Sequence, residues 1–177
     1  NGDAWARFAK KGDILLNPFD TRSPGWSPFN EIRHPYDYLA VAKSIVPDSS
    51  DPASQQWHGY AQQLLAETMR AMAQAGQTTT GDLVHWLTVE SDSNLGAFLA
   101  GSAVNGLFDP NSAKALASTR FIVTSCLSSF QYLQPGDFSL RTWLETGKGN
   151  LYLVWREDML DGLKPLLSSW VDIVLAA

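Results

Sequence analysis

Lys148 stands between two glycines, Gly147-Lys148-Gly149, and a glycine-flanked lysine is a residue pattern that can cradle phosphate. The spacing argues against that chemistry. A phosphate loop needs a glycine at position 142, where Thr142 stands, and a Ser or Thr after the lysine, where Gly149 stands. The loop must also follow a strand and open a helix, yet here the strand-like run comes after it, so an ordinary turn is expected. His34, His58 and His85 lack the close spacing of zinc ligands and read as surface or half-buried residues. No serine has glycines at i−2 and i+2, so there is no nucleophile elbow. Cys126 has neither a glycine-rich turn nor a helix N-terminus to lower its pKa. No catalytic residue and no metal site is therefore expected.

Two sets of residues remain. Arg156-Glu157-Asp158 directly follows the apolar run 151–155, and ligands of open α/β sheets bind just beyond strand carboxyl ends. The triplet reads either as a nucleotide- or subunit-facing group or as a solvated turn before the next helix. The second set is Gln55, Gln62, Gln63, Arg70 and Gln74, on the polar side of a long amphipathic segment. Those amides and the guanidinium offer hydrogen bonds to a protein or DNA partner; the alternative is a plain solvated face.

The elements that must position these sets follow from periodicity. Asp51 is a good N-cap, Pro52 suits the first helical position and Gly76 supplies a stop. Between them Trp57, Tyr60, Ala61, Leu64, Leu65, Thr68, Met69 and Met72 form one stripe, predicting a helix of about six turns. A short helix is expected over residues 3–10 and a buried strand over 14–16. Loop covers residues 19–29, and a helix covers 35–46. Thr78-Thr79-Thr80 caps a short helix, and Ser91 or Asp92 caps the next, which turns Leu95, Phe98 and Leu99 inward. Asp109-Pro110-Asn111 opens a segment reaching about residue 133, apolar enough to predict a central, mostly buried helix. A capped turn at 139–144 precedes Gly147. Residues 151–155 read as a buried parallel strand. The last helix, starting near Asp161 so that Pro165 is tolerated, aligns Leu160, Leu163, Leu167, Trp170, Val171 and Val174.

The order is strand, many helices, strand, helix. That predicts a mainly α chain, with a multi-helix all-α domain inserted between strands of a truncated α/β domain. Its parts are an N-terminal flap at 1–26, an all-α domain at 27–147 and a C-terminal flap at 148–177.

Composition narrows the partners. An apolar fraction of 45% permits a real core, and seven tryptophans among 177 residues point to packing. The net charge of −5 falls entirely in the central part, because the flanks at +1 and −1 cancel. Non-specific DNA affinity comes from cations that neutralise phosphates, so this acidic centre predicts a poor stand-alone DNA binder. One cysteine cannot form an internal disulfide and suits a reducing compartment. No leader and no membrane-length apolar run is present, which predicts a soluble, cytoplasmic piece with no membrane contact. The opening Asn1-Gly2-Asp3, without an initiator Met, suggests an excised fragment.

Longer strings carry a resemblance. The first is Asp13-Ile14-Leu15-Leu16-Asn17-Pro18-Phe19-Asp20-Thr21-Arg22 with Gly25-Trp26-Ser27 and Phe29-Asn30-Glu31-Ile32-Arg33. The second is Gly136-Asp137-Phe138-Ser139-Leu140-Arg141-Thr142-Trp143-Leu144-Glu145. The third is Asn150-Leu151-Tyr152-Leu153-Val154-Trp155-Arg156-Glu157-Asp158-Met159, followed by Pro165-Leu166 and Trp170-Val171-Asp172. Residues 57–70 and 112–121 are similar too. Together they resemble the all-α domain, with its junctions, of conjugative type IV secretion coupling proteins of the TraD and TrwB kind. The resemblance implies a RecA-like, hexameric ATPase at the cytoplasmic face of the bacterial inner membrane, using ATP and Mg. It implies an all-α insert that reads relaxase, relaxosome proteins and DNA for transfer. The Walker A and Walker B elements of that family have no counterpart in this sequence, so ATP hydrolysis by this piece alone is not expected. The leading expectation is a recognition module, contacting relaxosome protein and holding DNA weakly or through avidity in the hexamer. The alternative is a mechanical lever of the motor with no recognition role.

Overall fold

The computed structural model describes residues 3–176, so Asn1 and Gly2 of the opening Asn1-Gly2-Asp3 lie outside the described residues. Helix α1 (Asp3–Phe8) leads through a turn to strand β1 (Ile14–Leu16). A single-turn 3-10 segment, Pro28–Glu31, precedes helices α2 (Asp37–Ile45) and α3 (Pro52–Gln74). Helices α4 (Thr80–Val84) and α5 (Asp92–Phe98) flank a π-helical turn at His85–Val89. Helices α6 (Ala113–Leu127) and α7 (Leu140–Thr146) complete the helical body before strand β2 (Leu151–Leu153) and helix α8 (Leu160–Ala176). The chain is mainly α, as its periodicity predicts.

The expected caps are in place. The Asp51 carboxylate accepts from Ala53 N–H at the start of α3. At its end Gln77 N–H reaches Met72 O at 2.8 Å while Gly76 takes φ +74, a conformation glycine adopts without steric cost. Thr79, Ser91 and Ser139 accept from Asp82, Asn94 and Thr142 N–H to start α4, α5 and α7. Of the two cap candidates for α5, Ser91 holds the position.

Helix α3 packs on α2 and α6, and α2 packs on α8. One cluster contains Leu64, Leu65, Met69 and Met72 of α3, Val41 and Ile45 of α2, and Trp170 and Ile173 of α8; Leu16 and Trp26 belong to it as well. Trp26 lies edge-on to Trp170 at 5.9 Å between ring centroids, the favourable arrangement for two aromatic quadrupoles.

The packing corrects several expectations. Helix α6 is not mostly buried: it ends at Leu127, buries only Leu116, Thr119, Val123 and Leu127, and leaves Phe121 76% exposed. Those four keep the 3–4 spacing of one face, and α3 is the more deeply packed helix. The α3 stripe is buried only from Ala61 onward, with Trp57 and Tyr60 half-buried. Helix α8 buries Leu163, Leu166, Leu167, Trp170 and Ile173, whereas Leu160 and Val171 face outward. Strand β2 ends at Leu153 and is half-buried rather than enclosed, because β1 is its sole strand neighbour among the described residues.

Candidate functional site

Strands β1 and β2, more than a hundred residues apart in the chain, pair in parallel with Ile14 opposite Leu151 and Leu16 opposite Leu153. The helical body therefore leaves and returns to one place. A second, isolated parallel bridge joins Trp26, in the loop after β1, to Phe138, before α7, with Phe138 N–H donating to Gly25 O at 3.1 Å. Backbones approach so closely there that a Cβ on Gly25 would lie 2.0 Å from Pro135 O. Asn30 Nδ2 spans the same junction, donating to Gly136 O and Phe138 O at 3.0 and 2.9 Å.

At the centre of this neck is Glu31, fully buried. Its carboxylate accepts from Trp26 Nε1 at 2.8 Å, Leu140 N at 2.7 Å, Ser139 Oγ at 3.1 Å and Arg141 N at 3.1 Å. A carboxylate at the N-terminus of α7 satisfies two backbone donors that the helix leaves open. Asp37, the first residue of α2, is a second buried acid: it accepts from Arg33 and His34 N–H of the preceding loop and pairs with the Arg141 guanidinium at 2.8 Å. Burial is the largest influence on the Asp37 carboxyl and pushes it up. The Arg141 bond and the two backbone donors outweigh burial together and hold it below its ordinary value. Arg33 closes the outer side by pairing with Glu145. The strings that carry the family resemblance thus meet in space at this neck. Sequence reasoning missed these roles; the one available signal was an acid and a Trp five residues apart in an apolar context.

The glutamine set divides. Gln62 is a correction: it is 4% exposed, so it does not belong to an outward face. Its Nε2 donates to Val46 O and Asp48 Oδ1, both at 2.9 Å. Gln55 is exposed, while the Gln62 bond holds the Asp48 carboxyl below its ordinary value. Gln63 and Gln74 are exposed, on the same side of α3 as Gly59, whose missing Cβ would meet nothing. Arg70 lies over the Tyr38 ring, donates to Pro35 O at 3.4 Å and pairs with Glu67, so it fastens α3 to the start of α2.

Arg156, Glu157 and Asp158 are exposed beyond the carboxyl end of β2. Arg156 pairs with Asp158 at 2.6 Å, and Glu157–Met159 forms a 3-10 turn into α8. Beside them is a groove of about 400 Å³, lined among others by Phe19, Ser129, Tyr132, Asp158 and Gly162. In the loop after β1, Arg22 holds the Asp20 carboxyl down to about 2. This turn and the open face of α3 are two separate surfaces rather than one constellation.

The Gly147-Lys148-Gly149 turn does not fit a nucleotide phosphate. A Cβ on Gly149 would lie 2.6 Å from Asp13 Oδ1, so a carboxylate already fills the space inside the turn. Cys126 is half-buried, and burial pushes its thiol up. Among the described residues no group of three His, Cys, Asp or Glu side chains could hold a metal ion, and no helix is long and apolar enough to cross a membrane.

Comparison with known proteins places this geometry. The family model described as the type IV secretion-system coupling protein DNA-binding domain matches residues 1–177. Coupling protein TraD of Escherichia coli (strain K12) is 25% identical over 175 residues, which cover 92% of this chain and 24% of TraD. The solved structure of the bacterial conjugative coupling protein TrwBdeltaN70, unbound monoclinic form, superposes with a TM-score of 0.94 at 41% identity, over 99% of this chain and 42% of that one. Plasmid coupling protein TrwB in complex with ADP and Mg2+ superposes with a TM-score of 0.93 at 41% identity, over 99% and 43% of the respective chains. The chain therefore spans less than half the length of each of these relatives.

Proposed function

The chain belongs to the type IV secretion-system coupling protein DNA-binding domain family, and from that premise we propose that it is the substrate-recognition module of a conjugative coupling protein. In this reading it contacts relaxosome protein and DNA and hands them toward the transfer channel. The observation that carries the proposal is the neck. The helical body leaves and returns through one parallel pair of strands and shares its core with α8, which suits an insert whose base continues into a larger sheet. Residues 1–26 and 148–177 are then the edges of a RecA-like nucleotide-binding domain around the module at 27–147. The longer protein is a hexameric ATPase at the inner membrane, using ATP and Mg, while this piece does not hydrolyse ATP alone. Arg156, Glu157 and Asp158 face nucleotide or a neighbouring subunit there.

The open face of α3, with Gln63, Gln74 and the clear space over Gly59, is the surface for a protein partner; the acidic centre favours protein over DNA at that face. Gln55 and Arg70 border it. Gly59→Arg with Gln63→Glu, placed in the longer protein, tests this. Loss of substrate transfer with ATP turnover retained is expected. Unchanged transfer sinks the recognition role, and loss of turnover as well favours the lever reading, for which the four bonds that tie Glu31 to Trp26 and the start of α7 speak.

A further inference from the structure

The turn after α1 and the turn before β2 are bolted together by one carboxylate. Asp13 Oδ2 accepts from Lys10 N at 2.9 Å, and Asp13 Oδ1 accepts from Asn150 N at 2.8 Å. The Asn150 bond and then the Lys10 bond lower the Asp13 pKa, so the acid is committed to backbone donors across neutral pH. Gly12 at φ +99 and Gly149 at φ +125 let the turns press face to face, with Lys148 O 3.1 Å from where a Gly12 Cβ would be. Three exposed lysines, Lys10, Lys11 and Lys148, project from this small platform.

Those cations are unlike most others in the chain. Arg22, Arg33, Arg70, Arg120, Arg141 and Arg156 are each paired with a carboxylate. Among the described residues no ion pair engages Lys10, Lys11 or Lys148, and Lys43, Lys114 and Lys164 are scattered singly on α2, α6 and α8. Phe8, one turn before Lys11, is 65% exposed. Three lysines around the single Asp13 carboxylate, which is already committed to backbone donors, leave a net positive cluster outside the turn, near an open aromatic ring; a single strand of nucleic acid uses such a surface, its phosphates taking the charges and a base stacking on the ring. A bilayer surface needs a longer apolar face than the six-residue α1 provides.

We propose that the Lys10–Lys11 and Lys148 turns, with Phe8, form the DNA-contacting surface of this chain and that its ligand is single-stranded DNA. The inference rests on the DNA part of the proposed function and adds its location. DNA is held at the base of the module, at the amino end of the strand pair, and the open α3 face is left to protein. This reconciles an acidic centre with a DNA partner, since the contact avoids the centre altogether.

The test uses the full 177-residue chain and a fluorescent oligo-dT probe across a salt series. K10E/K11E/K148E is compared with K43E/K114E/K164E, which changes net charge equally. The platform variant is expected to bind roughly tenfold more weakly or worse, with a log–log salt slope smaller by about 2. The scattered variant stays within about threefold of wild type, because charge distant from the contact is screened. Phe8→Ala lowers single-strand affinity and leaves duplex affinity in place. Should the glutamates unfold the platform, K10Q/K11Q/K148Q and protection of the three lysines from acetylation by bound oligo-dT in the wild type give the same reading. Equal loss in both triple variants overturns the surface but not the DNA role, whereas no binding by the wild type at low salt overturns both. Lysine-dependent binding to phosphatidylserine–phosphatidylcholine vesicles in preference to oligo-dT overturns the ligand.

Discussion

Leu140 donates its backbone N–H to the buried carboxylate of Glu31 across 2.7 Å, although 109 residues separate them in the chain. With the Trp26, Ser139 and Arg141 donors on the same carboxylate, this bond ties the outgoing helix to the incoming loop. Removing the acid strands several donors in a dry site. Glu31→Ala is expected to cost about 2–4 kcal/mol, and Glu31→Gln less, since one acceptor oxygen remains. Urea unfolding of both variants measures it; a loss under about 0.5 kcal/mol in the alanine variant would show that the neck does not depend on Glu31.

Two glycines should respond with opposite signs. Gly25→Ala places a methyl 2.0 Å from Pro135 O, so the paired backbones must separate, at a cost of about 1–3 kcal/mol. Gly59→Ala, inside α3 with nothing near the new methyl, should stabilise by about 0.5–1 kcal/mol through helix propensity. Thermal melts of the pair decide it, and a destabilised Gly59→Ala would mean that the α3 face is not open.

Much of this was legible in the sequence for a physical reason. Caps, breakers and 3–4 spacing are local, so α3 and its Asp51 and Gly76 ends could be read directly, as could the two short strands. What could not be read depended on which neighbour covers which face. Phe121 has the same side chain as a core phenylalanine, and only the position of α3 relative to α6 leaves it outside. Gln62 does carry a positional mark, standing three, four and seven residues before the buried Leu65, Ala66 and Met69, but its amide type reads as polar surface; the carbonyl of Val46 and the carboxylate of Asp48 are what satisfy it inside. The neck was visible as recognisable strings, but the convergence of Glu31, Asp37 and Arg141 is a long-range fact that no spacing rule expresses.

Adjacent glutamines offer a clean contrast. Gln62→Ala removes the donor to Val46 O and Asp48, and should cost about 1–2 kcal/mol. Gln63→Ala and Gln74→Ala, on the open face, should stay within about 0.5 kcal/mol of wild type. Denaturant midpoints with unchanged slopes are the readout. Equal losses at 62 and 63 would contradict the division of the glutamine set.

Acid sensitivity should trace in part to Asp37. Its folded carboxyl lies below the ordinary value because Arg141 and the Arg33 and His34 N–H groups together outweigh the opposing effect of burial. A group depressed in this way contributes stability that is complete above its unfolded pKa, about 3.9, and is lost as pH falls through the lower folded value. Asp37→Asn keeps the shape but gives up the charge facing Arg141, and should cost about 2–3 kcal/mol at pH 7. The gap between wild type and variant should hold from pH 7 to about pH 5 and then narrow below about pH 4, as the wild-type carboxyl takes up its proton. Chemical unfolding at pH 7, 5 and 3 maps the window. A gap as wide at pH 3 as at pH 7 would mean that the Asp37 contribution is steric and not ionic.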